Sequence, residues 1–287
     1  MLTATHLRQF GSSTLRSTIF LERRFRANLV NRDRLLFHTR YSPPAKKASP
    51  FVHVYASLRG SFEPEGKPAV TGPHCFVLAE TEFDRVLPTS MSFRSWGDPC
   101  AIVELRVPAA DMRRPIGMVN GPVELPTNVW DAYLALEQQR GTEQLHELIV
   151  RLGEAGILST DLTSSVVKKE PERFERLWEV LRPLYEDLAT SASLKQIAIV
   201  AKLSLRQLGR DLGDLTRTFG LFGAGFRDAM RVLRLRAAVL LLSAPGASPS
   251  DVAKTVGYGS LDAMGRAFRD ASLPAPSVVQ EYVRYPA

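Results

Sequence analysis

Two short stretches, near residues 206 and 262, carry side chains suited to binding the edges of base pairs. In the first, Arg206 and Arg210 are four residues apart, so they would share one face of a helix beside Gln207. Arginine can form two hydrogen bonds with guanine O6 and N7, and glutamine can form two with adenine. These three side chains are therefore predicted to contact bases.

The second stretch offers a poorer set of base contacts. Leu261 could only touch a thymine methyl group, and Asp262 could accept a hydrogen bond from cytosine N4 but would repel phosphate. Arg266 is the one cation of this set. We predict that all three residues contact bases, and that this stretch contributes more to affinity than to discrimination between sequences.

Chemistry other than binding has little support in the sequence. It contains no phosphate-binding loop of the form G-x-x-x-x-G-K-[ST], no dinucleotide fingerprint and no Ser/His/Asp arrangement. A metal cupin would need a His-x-His/Glu cluster, whereas His53 is followed two residues later by Tyr55. Cys75 and Cys100 lack metal-ligand spacing. We therefore predict no catalytic residue, metal or cofactor.

Each stretch begins the second of two short helices predicted from apolar periodicity. In both units a small residue of the first helix would let the second helix cross closely, and an apolar residue of the second would pack beneath it. This pattern is typical of a helix-turn-helix, whose second helix can enter the DNA major groove. A serine precedes each second helix as its cap. The paired positions are Ala198 and Ala253, Ser204 and Ser260, and Leu208 and Met264.

A long helix is predicted between the two units, and residues 191 to 282 resemble the AraC/XylS family of transcription regulators. The resemblance depends on Ser204-x-x-x-Leu208-x-Arg210, Arg234-Leu235-x-x-x-Ala238-x-x-Leu241-Leu242, Val252-Ala253-x-x-Val256-Gly257-Tyr258 and Arg266-Ala267-Phe268. It implies base-contacting positions at Arg206, Gly209 and Arg210, and at Leu261, Asp262 and Arg266. Phosphate contacts are predicted at Ser204, Arg227, Ser260 and Arg269.

The sequence departs from the family after Leu212. The connection GDLTRTFGLFGAG is several residues longer than the usual pattern. We expect either a longer first recognition helix or an extra turn after it.

The positive charge of the chain is concentrated at its C-terminal end. The net charge is +7, and residues 190 to 287 contain 13 Lys and Arg against 7 Asp and Glu, a balance of +6. Such local basicity favours a polyanionic partner, because neutralising phosphates releases counterions. Neither a signal peptide nor an apolar stretch long enough to span a bilayer is found, so we expect a cytoplasmic protein without a membrane partner.

The first part of the chain has β-strand character. Residues 17 to 108 contain runs rich in Val, Phe, Tyr and Ile, bounded by turn residues, which predicts a sandwich or barrel. The runs are STIFLE, RLLFHTR, FVHVYASL, CFVLAE, MSFRSW and CAIVELRV, and the turns include SPP, TGP and WGDP. Residues 100 to 112 resemble the end of the cupin-like sensor barrel found in AraC-family regulators. Residues 1 to 16 are polar and mixed, and we expect a flexible arm there.

Between residues 126 and 190 the pattern becomes helical. Apolar residues at three- and four-residue spacing predict amphipathic helices. Either these stripes cover the sheet or they are shared between two copies, and we predict a homodimer. The stripes are Trp130, Tyr133, Leu134 and Leu136, then Leu145, Leu148, Ile149 and Leu152, then Phe174, Leu177, Trp178, Leu181, Tyr185 and Leu188.

The predicted fold is α+β with two domains. Residues 1–125 form a cupin-like β-barrel sensor domain, 126–190 the intermediate helices, and 191–287 the DNA-binding domain of two helix-turn-helix units joined by a long linker helix. We predict a sequence-specific transcriptional regulator of double-stranded DNA, with a small-molecule effector in its barrel and RNA polymerase as a partner if it activates. The alternatives are a cupin-type enzyme with a DNA-binding tail and a non-specific nucleoid-type protein.

Overall fold

The computed structural model describes residues 1–41, 51–64, 68–79, 92–113, 121–165, 170–219 and 225–286. Its strands form one antiparallel sheet in the order β1-β2-β3-β8-β5-β7-β9, with β4 paired to β8 and β6 paired to β5. The strands are β1 (Leu2–Phe10), β2 (Ser13–Leu21), β3 (Arg26–Asp33), β4 (Phe37–His38), β5 (Phe51–Pro64), β6 (Val70–Thr71), β7 (His74–Ala79), β8 (Phe93–Pro108) and β9 (Gly121–Val123).

The flexible arm expected at residues 1 to 16 is wrong, because these residues form a hairpin. Strands β1 and β2 pair from Leu2↔Leu21 to Phe10↔Ser13, and the turn between them uses Gly11 at a φ of +58°. Leu2, Ala4 and His6 are buried at alternate positions. A strand needs only this one buried face, so polar residues between the buried ones do not prevent it.

Two further strand predictions need correction. RLLFHTR contributes only β4 and a 3₁₀ turn, whereas the preceding RANLVNRD forms the central strand β3. Residues 93–96 of the MSFRSW run and the whole CAIVELRV run belong to the single strand β8, so the turn predicted at WGDP lies within one strand that pairs with β5 across register shifts. Strand β8 ends at Pro108 and is followed at once by a short helical turn, Ala109–Asp111.

Ten α-helices follow the sheet in the described residues. They are α1 (Thr127–Gln139), α2 (Thr142–Glu154), α3 (Thr160–Ser165), α4 (Glu172–Glu186), α5 (Leu194–Val200), α6 (Leu205–Thr218), α7 (Phe226–Leu242), α8 (Pro249–Thr255), α9 (Leu261–Asp270) and α10 (Pro276–Tyr282). The predicted α+β architecture is confirmed: a β-rich N-terminal part precedes a helical C-terminal part with two helix-turn-helix units, α5–α6 and α8–α9, joined by α7.

The two faces of the sheet pack against different helices. Along β3, Ala27 and Leu29 are fully buried in a core that includes α1, α2 and α3. The alternate residues Asn28 and Val30 face the other way and line a cavity against α4 and α7. The central strands are thus covered on both sides, which explains why they carry apolar residues at successive positions.

The apolar stripes of the intermediate helices are buried within the single chain. Leu136, Leu148 and Leu177, for example, are each at most 2% exposed, and all belong to cores that include sheet residues. Leu134 is the exception, at 39% exposed. The stripes therefore cover the sheet, the alternative left open above. The homodimer stays a prediction, but these stripes no longer motivate it.

Helix α7 connects the two helix-turn-helix units and packs against α8, α9 and α10. Leu235, Ala238 and Leu242 are fully or almost fully buried in a core that also contains Leu2 and Ala4 of β1. Its C-cap, Ser243, accepts a hydrogen bond from the backbone N–H of Leu36 at 2.8 Å. The C-terminal helices and the first hairpin thus share one apolar core.

Candidate nucleic-acid interface

The first recognition helix, α6, is capped by Ser204, whose Oγ accepts a hydrogen bond from the Gln207 N–H at 3.1 Å. Leu208 and Leu212 are buried against the rest of the unit, while Arg206, Gly209 and Arg210 are exposed. The helix has 14 residues against 10 in α9, so the expectation of a longer first recognition helix is confirmed. The rest of the long connection, residues 220–224, lies outside the described residues.

Gln207, the third predicted base contact of α6, is half-buried and is held by its neighbours. Its Nε2 donates to Asp211 Oδ1 at 3.0 Å, and its Oε1 accepts from the Arg210 guanidinium at 2.5 Å. Asp211 is only 5% exposed. Asp211 was not among the residues predicted from sequence, although its spacing of four residues from Gln207 on a predicted helix was a usable signal.

The second recognition helix, α9, repeats the same framework with a different outer face. Ser260 caps it, accepting from the Ala263 N–H at 3.1 Å, and Met264 is fully buried. Leu261 is 41% exposed, and Asp262 and Arg266 are exposed. All three predicted base-contacting side chains therefore lie on the accessible side of α9.

The predicted phosphate contacts are also accessible. Both cap serines use Oγ as an acceptor, so each hydroxyl hydrogen stays available for donation to a phosphate oxygen. Arg227 lies in the first turn of α7 and Arg269 in the last turn of α9, and both are exposed. Their role at DNA stays a prediction.

One arginine of α7 has a structural role. Arg234 donates to the carbonyls of Leu188 and Thr190, at 2.9 and 3.1 Å, in the segment after α4. Gly257 approaches the same segment, with φ at +84°, and a Cβ built there would lie 2.5 Å from the Leu188 carbonyl oxygen. The segment between α4 and α5 is thus held by both the linker helix and the second unit.

A cavity of about 170 Å³ separates the sheet from α4 and α7. Its wall is mostly apolar and includes Leu15, Ile19 and Val30 from the sheet and Ala237 and Leu240 from α7. Its polar side chains include His6, Ser17, Asn28, Tyr55, Glu104 and Arg236. Effector-binding residues could not be predicted from sequence, because the two walls come from segments some two hundred residues apart.

One charged group at this cavity is the carboxylate of Glu104, which has several partners. His53 Nδ1 lies 2.6 Å from Glu104 Oε1, and the Tyr55 hydroxyl donates to the same oxygen at 3.2 Å. Burial opposes ionisation, but the hydrogen bond and charge of His53, with Arg236 and Arg26, hold the pKa of Glu104 well below its ordinary value. Burial also raises the pKa of Tyr55. His53 therefore has a structural partner.

Two features that would indicate other functions are absent from the described residues. No group of three or more His, Cys, Asp or Glu side chains there is placed to hold a metal ion. Among the helices in those same ranges, none combines the length and apolarity needed to cross a membrane. The absence of a resident metal or cofactor stays a prediction.

No protein-family model and no curated protein sequence matches the chain. Solved structures similar to it include ToxT from Vibrio cholerae, at 10% identity and a TM-score of 0.38 over 91% of this chain and 99% of that one. The AraC-like transcriptional activator CuxR matches at 14% identity and 0.32, over 82% and 85%. A DNA-binding transcriptional dual regulator from Escherichia coli K-12 matches at 22% identity and 0.30, over 39% and 99%.

All three identities are below 25% and all three TM-scores below 0.5. The function proposed below therefore depends on this chain's own residues. CuxR is described as AraC-like, and AraC/XylS is the family that residues 191 to 282 resemble in sequence.

Proposed function

We propose that the chain is a sequence-specific, DNA-binding transcription regulator of the AraC/XylS type and not an enzyme. The observation that carries the proposal is the pair of capped recognition helices, α6 and α9, each with buried apolar residues on one side and an exposed Arg-bearing face on the other. Residues 191–287 would form the DNA-binding domain, residues 1–125 the sensor domain, and residues 126–190 the helices between them.

Its mechanism is binding without covalent chemistry. Ser204, Arg227, Ser260 and Arg269 contact phosphates and fix the register of the protein on the duplex, while α6 and α9 enter successive major grooves. The excess positive charge of the C-terminal residues attracts DNA of any sequence, and the reading faces select among sequences. RNA polymerase is an additional partner if the protein activates, and the cytoplasm is the expected compartment.

Selection of bound duplexes from random DNA, followed by titration of the best duplex and of a random one, tests this proposal. We expect the selected duplex to bind at least about 10³-fold more tightly at physiological salt. Equal affinity for the two duplexes would contradict specific binding and favour the nucleoid-type alternative. Stoichiometric metal in protein purified without chelator would instead favour the cupin-type enzyme.

We also propose that a small-molecule effector binds in the cavity between the sheet and α7. This places the effector between the sensor sheet and the linker helix, so that its binding can alter the position of the DNA-binding helices. Support comes from the apolar wall, the few polar side chains and the contribution of α7 through Ala237 and Leu240.

The dye 1-anilinonaphthalene-8-sulfonate is a suitable probe of this cavity. We expect saturable fluorescence enhancement in the native protein and its loss in Ala237→Phe, which fills the cavity. Ala275→Phe, at an exposed position before α10, is the matched control and should retain the enhancement. Equal enhancement in the native protein and both variants would contradict the proposed site.

A further inference from the structure

The hydrogen bonds around Gln207 assign a reading role to Arg210 and a supporting role to its neighbours, if the proposed DNA binding is correct. Gln207 lies between an exposed cation and a buried anion on α6. It donates to Asp211, four residues on, and accepts from Arg210, three residues on. The three side chains form a continuous chain from the core of the unit to its outer face.

Only one orientation of the Gln207 amide satisfies both neighbours. An ionised carboxylate can only accept hydrogen bonds, so Asp211 must face the NH₂ group, whereas a guanidinium can only donate, so Arg210 must face the carbonyl oxygen. The two partners therefore fix the orientation of the amide. Reading adenine would require Gln207 to turn its amide oxygen and its NH₂ group together toward the base, whereas in the structure both groups are engaged by side chains of its own helix.

The burial of Asp211 indicates why an acid occupies this position. A buried carboxylate is unfavourable unless it is hydrogen-bonded, and an apolar side chain would fill the same space without that cost. Gln207 Nε2 supplies such a bond at 3.0 Å. Asp211 in turn restrains a glutamine that would otherwise have several rotamers.

We propose that Asp211 is a positioning residue for DNA recognition. It orients Gln207, whose carbonyl oxygen holds the Arg210 guanidinium ready to form two hydrogen bonds with one guanine. Gln207 thus supports the arginine and does not itself read adenine, which changes the role predicted for it from sequence. Arg206, an exposed arginine one turn earlier, is outside this chain of bonds and serves as the comparison.

The test compares variants on the selected duplex and on duplexes with each single base pair replaced. Arg210→Ala should reduce discrimination at one guanine position by roughly 5- to 150-fold. Gln207→Met, which keeps the volume but removes both bonds, and Asp211→Leu should each reduce discrimination at that same position by about three- to tenfold. Asp211→Asn can still accept from Gln207 and should restore most of the discrimination.

Two controls separate positioning from loss of structure. The first control is a thermal melt of each variant, which shows whether it folds. If Asp211→Leu does not fold, Gln207→Met replaces it in the comparison, because Gln207 is only half-buried on the helix surface. The double variant Gln207→Met/Arg210→Ala should discriminate no worse than Arg210→Ala alone, because the two act as one unit. Arg206→Ala should leave the guanine position unchanged.

Several results would overturn the inference. Loss of an adenine preference at a different base pair in Gln207→Met would show that Gln207 reads directly. Unchanged discrimination in both Asp211→Leu and Gln207→Met would show that no positioning occurs. Equal binding of selected and random DNA by the native protein would overturn the proposed function itself, and this result is obtained before any variant is made.

Discussion

The two helix-turn-helix units have the same internal framework. Ser204 and Ser260 cap their recognition helices with hydrogen bonds of equal length, 3.1 Å, and Leu208 and Met264 occupy equivalent positions with at most 1% exposure. The capping serine determines where each helix begins, and the buried apolar residue determines which side of the helix faces the core. The framework therefore determines the geometry of both units but not what they recognise.

The outer faces of the two units differ. On the predicted reading face of α6, Arg206 and Arg210 accompany a glutamine anchored to a buried acid, whereas that of α9 presents Leu261, Asp262 and Arg266. An arginine whose guanidinium is held by a neighbouring side chain favours discrimination between bases. A single arginine beside an acid and a leucine favours attraction to DNA of any sequence. From this comparison we predict that the first unit discriminates between base sequences and that the second mainly adds affinity.

The units also differ in what supports them. Helix α6 packs against α4, where Arg173 forms an ion pair with Asp214 at 3.3 Å, and α9 packs against α7. Since α4 also packs on β1, the first unit is supported by a helix that directly contacts the sheet. Both α4 and α7 line the cavity, so a shift of these helices on ligand binding would be transmitted to both helix-turn-helix units.

The largest expected change in stability tests whether the two helix-turn-helix units have the same internal framework. Leu208→Ala and Met264→Ala should each lower the free energy of unfolding by about 2–5 kcal/mol, because each leaves a cavity in a buried site. Urea denaturation measures both, with Leu205→Ala, at a 58% exposed position, as the control. A loss below about 1 kcal/mol at one site alone would show that the frameworks differ.

Substitution of the cap serines should change stability less, and it distinguishes their role in helix capping from their predicted contact with DNA. Ser204→Ala and Ser260→Ala should each cost about 1 kcal/mol of stability, whereas the glycine variants should cost only a few tenths. The glycine variants then isolate the phosphate contacts, and both should bind random DNA more weakly at low salt. Unchanged affinity in both glycine variants would remove the serines from the interface.

The smallest expected change in stability comes from replacing the glycines within the two recognition helices. No atom lies within 4 Å of a Cβ built at Gly209 of α6 or Gly265 of α9. Alanine at either position should therefore stabilise the protein by roughly 0.4–1 kcal/mol, since it reduces the conformational freedom of the unfolded chain. Thermal melts check this pair, and destabilisation by Gly209→Ala alone would indicate that α6 is strained where α9 is not.

The parts of this molecule that the sequence predicted are those with local signals. Ser204, Leu208, Ser260 and Met264 lie within one or two turns of one another in each unit, so their spacing alone indicated the helices and their inner faces. The length of the connection after Leu212 likewise predicted either a longer first recognition helix or an extra turn, and the first of these is seen in α6.

The parts that were missed depend on distant partners. In the first strand of the β1–β2 hairpin, polar residues alternate with apolar ones along the chain. Which of its two faces is buried is decided by the helices that pack on it, and these are distant in sequence. The cavity is formed by strands and by α7, which are far apart in sequence. Asp211 was missed for a different reason. It lies between Leu208 and Leu215 on the inner side of α6, where an acid is unusual, and only the structure shows the hydrogen bond that it accepts from Gln207.

The most direct test of the division of labour is a pair of titrations, with selected and random DNA, for Arg210→Ala and Arg266→Ala across a salt series. Arg210→Ala should weaken binding to the selected duplex far more than to random DNA, since a paired arginine–guanine contact discriminates by about 1–3 kcal/mol. Arg266→Ala should weaken both nearly alike and reduce the slope of log K against log salt by about one unit. If Arg210→Ala leaves the specificity ratio unchanged while Arg266→Ala abolishes it, α9 reads and α6 holds, and the account is contradicted.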